Sequence, residues 1–431
     1  MNTPIYDFVA KYKNSGTERL HMPGHKGFSF LGCEEYDITE IHGADSLYEA
    51  DGIIAESEKN ASLLFGCPTF YSTEGSSHCI RAMLYILKQR GITKILAGRN
   101  AHKSFLTACA LLDFEVEWLY GSSTYLSCNI DEEELDRLLA ESGIKAVYIT
   151  SPDYLGNIAD IKTISEICKK HNALLVVDNA HGAYLKFLEE SLHPMDLGAD
   201  MCCDSAHKTL PCLTGGAYLH IKDCSFSKKV KNALSVFGST SPSYLILESL
   251  DLVNKYISEG YSEKLNGFIL KVEHFKKQLR GKGYTLFESE PMKITVCAKA
   301  YGYTGYEFAD LFRKEQIECE FCDPDFTVLM LSVDTNLERI LKFFLSIPQK
   351  EVITSFPPCF SVPQRVISIR DAMMSDFIEL PVEKALGKTL SQLNVSCPPA
   401  VPIVMCGEKI TKETINCFKY YGIKKCAVLK E

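Results

Sequence analysis

A chain of 431 residues, 46% hydrophobic and 23% charged, has the balance of an ordinary folded protein and the length for two or three domains. Its formal charge of -9, with no Lys/Arg-rich tract, argues against general nucleic-acid binding. No apolar run approaches transmembrane length, and Met1 to Lys13 carries scattered charges rather than a signal-peptide core, so a cytoplasmic protein is expected.

The elements follow a repeating order from about residue 70. Phe70 to Thr73 reads as a strand, and the helix after it has Ile80, Met83, Leu84 and Leu87 on one face. Lys94 to Ala97 is a strand, followed by a helix with Phe105, Cys109 and Leu112 in line. Val116 to Tyr120 comes next, then a helix opened by Asp131 with acidic residues in its first turn. Ala146 to Thr150, a helix from Ile161 to Lys170, and Ala173 to Asp178 continue the series. Met201 to Asp204 and Ala217 to Ile221 are two more strands, the last read as antiparallel. Such alternation predicts a mostly parallel sheet covered on both faces. Residues 243 to 284 read as one or two long helices. Beyond 285, strands at 293–298 and 327–333 alternate with helices at 304–316 and 336–345, a smaller α/β unit. A Pro-rich loop then leads to a last segment ending in a helix near 411–421.

The 18 cysteines are dispersed, many inside apolar runs, which is the pattern of reduced core thiols. One CxxC occurs, Cys319-Glu320-Phe321-Cys322. No second CxxC or nearby His pair completes a zinc site, so it reads as structural and no metal is expected.

Two strand ends carry the chemistry. Leu174-Leu175-Val176-Val177-Asp178 ends in a carboxylate, and Met201-Cys202-Cys203-Asp204 runs into Ser205-Ala206-His207-Lys208-Thr209. Neighbouring parallel strands would bring Asp178 and Lys208 to one sheet edge, the edge where open α/β sheets bind ligands. That pair suits pyridoxal phosphate: the lysine amine forms a Schiff base with the aldehyde, and the acid keeps the pyridine nitrogen protonated. Each residue alone has a plainer explanation, a helix cap or a solvated loop. Thr73-Glu74-Gly75-Ser76-Ser77 joins a strand to a helix and offers hydroxyls and amides as an anion cradle. His102, in Asn100-Ala101-His102-Lys103-Ser104, can lie over an aromatic ring. Ser205 and His207 add donors, and Ser239-Thr240-Ser241-Pro242-Ser243 is another hydroxyl-rich turn.

These stretches resemble, in order, the ornithine/lysine/arginine decarboxylase family of fold-type-I pyridoxal-phosphate enzymes. His21-Met22-Pro23-Gly24-His25-Lys26-Gly27 is similar to its opening motif. Asp37 to Glu40, Gly43 to Leu47, Phe65-Gly66, Asn100 to Ser104, Ser151 to Gly156, Asp178 to Ala183, Ser205 to Leu210 and Thr240 to Leu245 continue the likeness. Cys397-Pro398-Pro399-Ala400-Val401-Pro402 with Gly407-Glu408 resembles the C-terminal signature.

The resemblance implies an aminotransferase-like fold with a seven-stranded, mostly parallel sheet. It implies an N-terminal arm over 1–50, a cofactor-binding large domain over 51–284 and a small α/β domain over 285–431. Lys208 would hold the cofactor aldehyde, Asp178 its ring nitrogen, and His102 would stack on the ring with Ala180 against the other face. Ser76, Ser77, Ser205 and His207 would hold the phosphate, with Ser239 or Thr240 reaching in from a second subunit of a homodimer. His181 would act either through a structural hydrogen bond beneath the site or directly.

Three positions depart from the family pattern: Glu74 before the phosphate loop, Asn179 in place of an acid, and Cys397 in the C-terminal signature. The resemblance also leads to the expectation of a short form that lacks the family's N-terminal wing. The expected reaction is decarboxylation of lysine, arginine or ornithine to a polyamine precursor. The rivals are another fold-type-I reaction, such as an aminotransferase or aldolase, and a retired homologue with a binding role. An aminotransferase would need an arginine to clamp the substrate carboxylate, for which Arg365 is the C-terminal candidate.

Overall fold

Runs of β-branched and aromatic residues between turn formers become strands in the order anticipated. A computed structural model describes residues 1–121, 125–223, 227–358, 362–393 and 399–430. Its first seven strands are β1 (Thr69–Ser72), β2 (Lys94–Gly98), β3 (Glu115–Leu119), β4 (Ala146–Thr150), β5 (Leu174–Asp178), β6 (Met201–Asp204) and β7 (Ala217–Ile221). They form a seven-stranded sheet of order β1-β7-β6-β5-β4-β2-β3. β5 runs parallel to β6, and β2 parallel to both β3 and β4, whereas β7 is antiparallel to β1 and β6. This is the α/β, fold-type-I arrangement expected. β5 and β6 are apolar almost throughout because both faces of such a sheet are covered by helices.

The chain divides into two compact units, Met1–Ile92 with Ile161–Leu265, and Thr93–Asp160 with Asn266–Glu431. The first holds β1, β5, β6 and β7. Its helix Gly75–Gln89 buries Ile80, Met83, Leu84 and Leu87, the face that the sequence spacing marks. Helices Pro4–Lys13, Ile53–Phe65 and Ser227–Phe237 also belong here and were not among the expected elements. The long segment after 243 is two helices, Tyr244–Ser258 and Tyr261–Gly281, separated at Gly260, whose φ of +91° a helix cannot accommodate.

The second unit holds β2, β3 and β4. Helix Glu132–Ser142 begins at Asp131, whose carboxylate accepts the Glu134 N–H at 2.9 Å. A further sheet has the order β10-β11-β9-β8, built from β8 (Leu286–Phe287), β9 (Lys293–Cys297), β10 (Phe321–Cys322) and β11 (Phe326–Met330). The end of the chain differs from expectation. Helix Lys412–Tyr420 is followed by another strand, Lys425–Leu429, here β14. It lies between β12 (Phe377–Pro381) and β13 (Leu390–Gln392) in a three-stranded antiparallel sheet. Cys426, Ala427 and Val428 bury there, but three residues are too short a run to announce a central strand.

Candidate active site

In the first unit, Asp178 ends β5 and is paired in register with Cys203 of β6. The chain after β6 turns at once into a short helix, Ala206–Thr209, which carries Lys208. The parallel register thus sends both residues off the same edge. Asp178 is almost fully buried, and its Oδ1 accepts from the Ala180 N–H at 3.2 Å and the Cys203 thiol at 3.7 Å. Lys208 Nζ lies 3.1 Å from His181 Nε2, within hydrogen-bond distance. His181, left open between two readings by the sequence, therefore touches the lysine itself. Ala180 is buried between Asp178 and His181.

The anion cradle assembles beside this pair. Ser205 Oγ donates to Ser76 Oγ at 2.8 Å, so the strand end of β6 and the first turn of helix Gly75–Gln89 meet hydroxyl to hydroxyl. Glu74, the residue before that helix, gives it no side-chain cap, which leaves the helix N-terminus and Ser77 in its first turn suited to an anion. The Gly75 N–H donates to the Gly215 carbonyl at 2.7 Å. Gly215 has φ +103°, and a Cβ there would meet the Thr73 carbonyl oxygen at 2.7 Å, so only glycine permits this approach. His207 Nδ1 donates to the Gly216 carbonyl at 3.0 Å. Burial, with Lys208 adjacent, holds the His207 pKa below its ordinary value, so the ring is a neutral donor and acceptor.

Ser239 and Thr240 are exposed in the turn before helix Tyr244–Ser258. Glu74 has a clear occupation there: its carboxylate accepts the Ser239 N–H at 2.6 Å.

A group that the sequence reading passed over supports the edge from behind. Asp204, the last residue of β6, is fully buried; its Oδ2 accepts from His193 Nε2 at 3.0 Å and His220 Nε2 at 3.1 Å. Its Oδ1 accepts from Asn179 Nδ2 at 2.7 Å. Asn179 thereby ties the end of β5 to the end of β6, which gives the departure from an acid a physical reason. Thr69 Oγ1 donates to the Cys67 carbonyl, so it accepts from His220 Nδ1 at 2.9 Å. Both His220 nitrogens then carry protons, and the ring is an imidazolium. Burial opposes both charges, yet His193 and His220 together hold the Asp204 carboxyl well below its ordinary range, and Asp204 holds the His220 imidazole above its own. His193, Asp204 and His220 have metal-like spacing, with ligand atoms within 4.8 Å of one another. Their inward-facing nitrogens are already donors to the carboxylate, which fits an ion-pair cluster rather than a metal centre.

In the second unit, His102 caps helix Lys103–Leu112. Its Nδ1 accepts the Ser104 N–H at 3.1 Å, which fixes the ring and puts the proton of the neutral ring on Nε2. The Lys103 N–H donates to the Ala400 carbonyl at 2.9 Å, joining the His102 loop to the C-terminal signature. Glu408 of that signature forms a buried ion pair with Arg99 at 2.7 Å. Cys397 and Pro398 lie outside the described residues. Arg365 is occupied: it donates to the Val116 carbonyl at 2.8 Å and approaches Glu115 at 3.4 Å, along β3.

The first unit's donor set fits pyridoxal phosphate, with hydroxyls and helix amides for its phosphate, a buried acid for its ring nitrogen and a lysine for its aldehyde. The model of the family described as "Orn/Lys/Arg decarboxylase, major domain" matches residues 3–324. An arginine decarboxylase of Halalkalibacterium halodurans is 28% identical, with 96% of this chain and 92% of that protein covered. One of Bacillus anthracis is 29% identical at the same coverage. Among solved structures, the lysine decarboxylase of Francisella novicida superposes with a TM-score of 0.83 at 16% identity, covering 99% of this chain and 81% of that one. A NifS-like protein shares the fold more loosely, with a TM-score of 0.57 at 15% identity over 80% of this chain and 94% of that one. The chain belongs to the Orn/Lys/Arg decarboxylases and is a pyridoxal-phosphate-dependent amino-acid decarboxylase of fold type I.

Proposed function

We propose that this chain decarboxylates arginine, releasing carbon dioxide and a guanidino amine that serves as a polyamine precursor. The observation that carries the reaction is the convergence of Lys208, His181 and the buried Asp178 at the ends of β5 and β6. The choice of arginine over lysine or ornithine is supported by curated relatives from Halalkalibacterium and Bacillus named arginine decarboxylase, which align over 96% of the chain.

Bound here, pyridoxal phosphate supplies an aldehyde for the substrate amine and a ring that accepts the electron pair left by departing carbon dioxide. The chain's own residues do the rest. Asp178, screened from water, holds a proton at the ring nitrogen and so stabilises negative charge as it develops. Ser76, Ser77, Ser205, His207 and the helix N-terminus anchor the phosphate. Lys208 would hold the cofactor through its aldehyde and, steadied by His181, would supply a proton at the substrate Cα. Ala180 is assigned to one face of the ring. The second reading, an aminotransferase, is disfavoured because the candidate clamp Arg365 is engaged along β3.

The same reading makes the enzyme a cytoplasmic homodimer in which Ser239 or Thr240 completes the partner's phosphate site. Two features support it: both residues are exposed in the single chain, and the arm exposes Leu20, Met22, Phe28, Phe30 and Leu31, an apolar surface suited to a second copy. No helix among the described residues is long and apolar enough to cross a membrane.

The test is to supply arginine, lysine and ornithine separately to the holoenzyme and to follow carbon dioxide and keto acid. Arginine is expected to give carbon dioxide and amine in equal amounts with no keto acid. Preference for lysine or ornithine overturns the substrate, and keto acid in place of carbon dioxide overturns the reaction.

A further inference from the structure

Cys319 and Cys322 read from sequence as a structural pair, but their surroundings give them chemistry. β10 covers only Phe321 and Cys322, and the chain bends at Glu320. In a straight strand, residues three apart face opposite sides. The bend lets both thiols face one cavity, and each shifts the ionisation of the other. Both are half-buried on the wall of a cavity of about 360 Å³ within the second unit, with Arg313, Glu318, Glu320 and Asp323 also lining it. Arg313 shares that wall with Cys322, and its Nε donates to Glu318 at 3.1 Å and its Nη1 to Asp310 at 2.8 Å.

We propose that Cys319 and Cys322 are a reversible oxidation site, a dithiol that a small-molecule disulfide such as oxidised glutathione converts to an intrachain bridge. The Cys322 thiolate attacks one sulfur of the oxidant, the S–S bond breaks, and a glutathione thiolate leaves. Cys319 gives up its proton and attacks Cys322 Sγ, expelling the second glutathione. Two protein thiols have lost two electrons and two protons, and the oxidant has become two thiols. An excess of dithiol reductant reopens the bridge by the same exchange and is itself left as a disulfide.

The electrostatics favour this order. Hydrogen bonding to Cys322, with burial, pushes the Cys319 thiol up, whereas the Cys319 S–H holds Cys322 down to about 7 against burial, with Arg313 assisting. Burial does the reverse at Cys79, Cys168, Cys202, Cys203 and Cys406, whose thiols are all raised. The bridge would have a local consequence. Glu320, between the two cysteines, accepts the Tyr154 hydroxyl at 2.7 Å, and the Phe321 ring stands 5.3 Å from Tyr154. Closing the bridge therefore pins Glu320 and Phe321 against Tyr154, a residue of the Ser151 to Gly156 motif.

The tryptic peptide from Glu315 to Arg339 contains these two cysteines and no other, so the site can be read directly. The holoenzyme is equilibrated in glutathione buffers from reducing to oxidising, alkylated, digested and weighed. The peptide is expected to lose two hydrogens in the oxidising buffers and regain them with dithiothreitol. The C319S variant should hold one glutathione at Cys322, and C322S should leave Cys319 unmodified. At pH 7 the wild-type Cys322 should alkylate about tenfold faster than an ordinary exposed thiol. The proposal is overturned if both cysteines alkylate fully in every buffer, if either pairs with a different cysteine, or if C322S traps glutathione at Cys319 as readily. The wild-type mass decides the question even if a variant fails to fold, and it does so whatever the substrate.

Discussion

Asn179 donates to Asp204 at 2.7 Å, and an acid in its place would set carboxylate against carboxylate in a site closed to solvent. Asn179→Asp should therefore lower unfolding free energy by about 3 kcal/mol, the scale of a buried charge left without a partner. Urea titration at neutral pH reads it directly. Stability equal to wild type would mean that Asn179 does not brace the strand ends. In the role proposed for it, Asp178 one position earlier has the opposite requirement, since an amide would not keep a ring nitrogen protonated. Asp178→Asn should retain cofactor, seen by its visible absorption, yet lose turnover by at least roughly a hundredfold, about 3 kcal/mol of transition-state stabilisation. Turnover within threefold of wild type would remove Asp178 from the role assigned to it.

At the level of elements, the Arg99–Glu408 pair joins the end of β2 to the C-terminal signature, and both side chains are buried. Burial pushes the Glu408 carboxyl up, while Arg99, the Met405 N–H and Arg365 pull it back. Glu408→Gln should cost about 3 to 5 kcal/mol because the guanidinium remains buried and uncompensated. Thermal unfolding should show it, and loss of both charges in an Arg99→Met, Glu408→Gln double variant should recover part of the stability. No recovery would mean that the pair is not coupled. Elements with a clear period were legible in sequence: β1 to β7 lie within a residue or two of their expected positions. The acid and lysine at strand ends were legible for the same reason, because a parallel strand puts its last residue at the ligand edge. What escaped was non-local. Asp204 reads as the tail of an apolar run until His193 and His220 fold onto it, and β14 has too few apolar residues to declare itself. Arg99 and Glu408 stand 309 positions apart, and no pattern in one sequence couples them.

At the level of the whole molecule, a shared site predicts rescue between two dead chains. Lys208→Ala mixed with a chain altered at Ser239 and Thr240 should regain part of the activity, because one site of each hybrid dimer is built from unaltered residues. Active monomers in light scattering, or a mixture that stays dead while subunits exchange, would end the shared-site model. The charged cluster behind the site also bears on how the protein behaves as a folded body. The His220 ring is sealed at 0% exposure, with one N–H held by Thr69 and the other by Asp204. Neither proton can reach solvent while β1, β6 and β7 stay paired, so their exchange waits for the unit to open. A histidine in the innermost layer thus keeps time for the fold: its ring protons, visible far downfield in a spectrum, would fade at the rate at which this half of the enzyme comes apart.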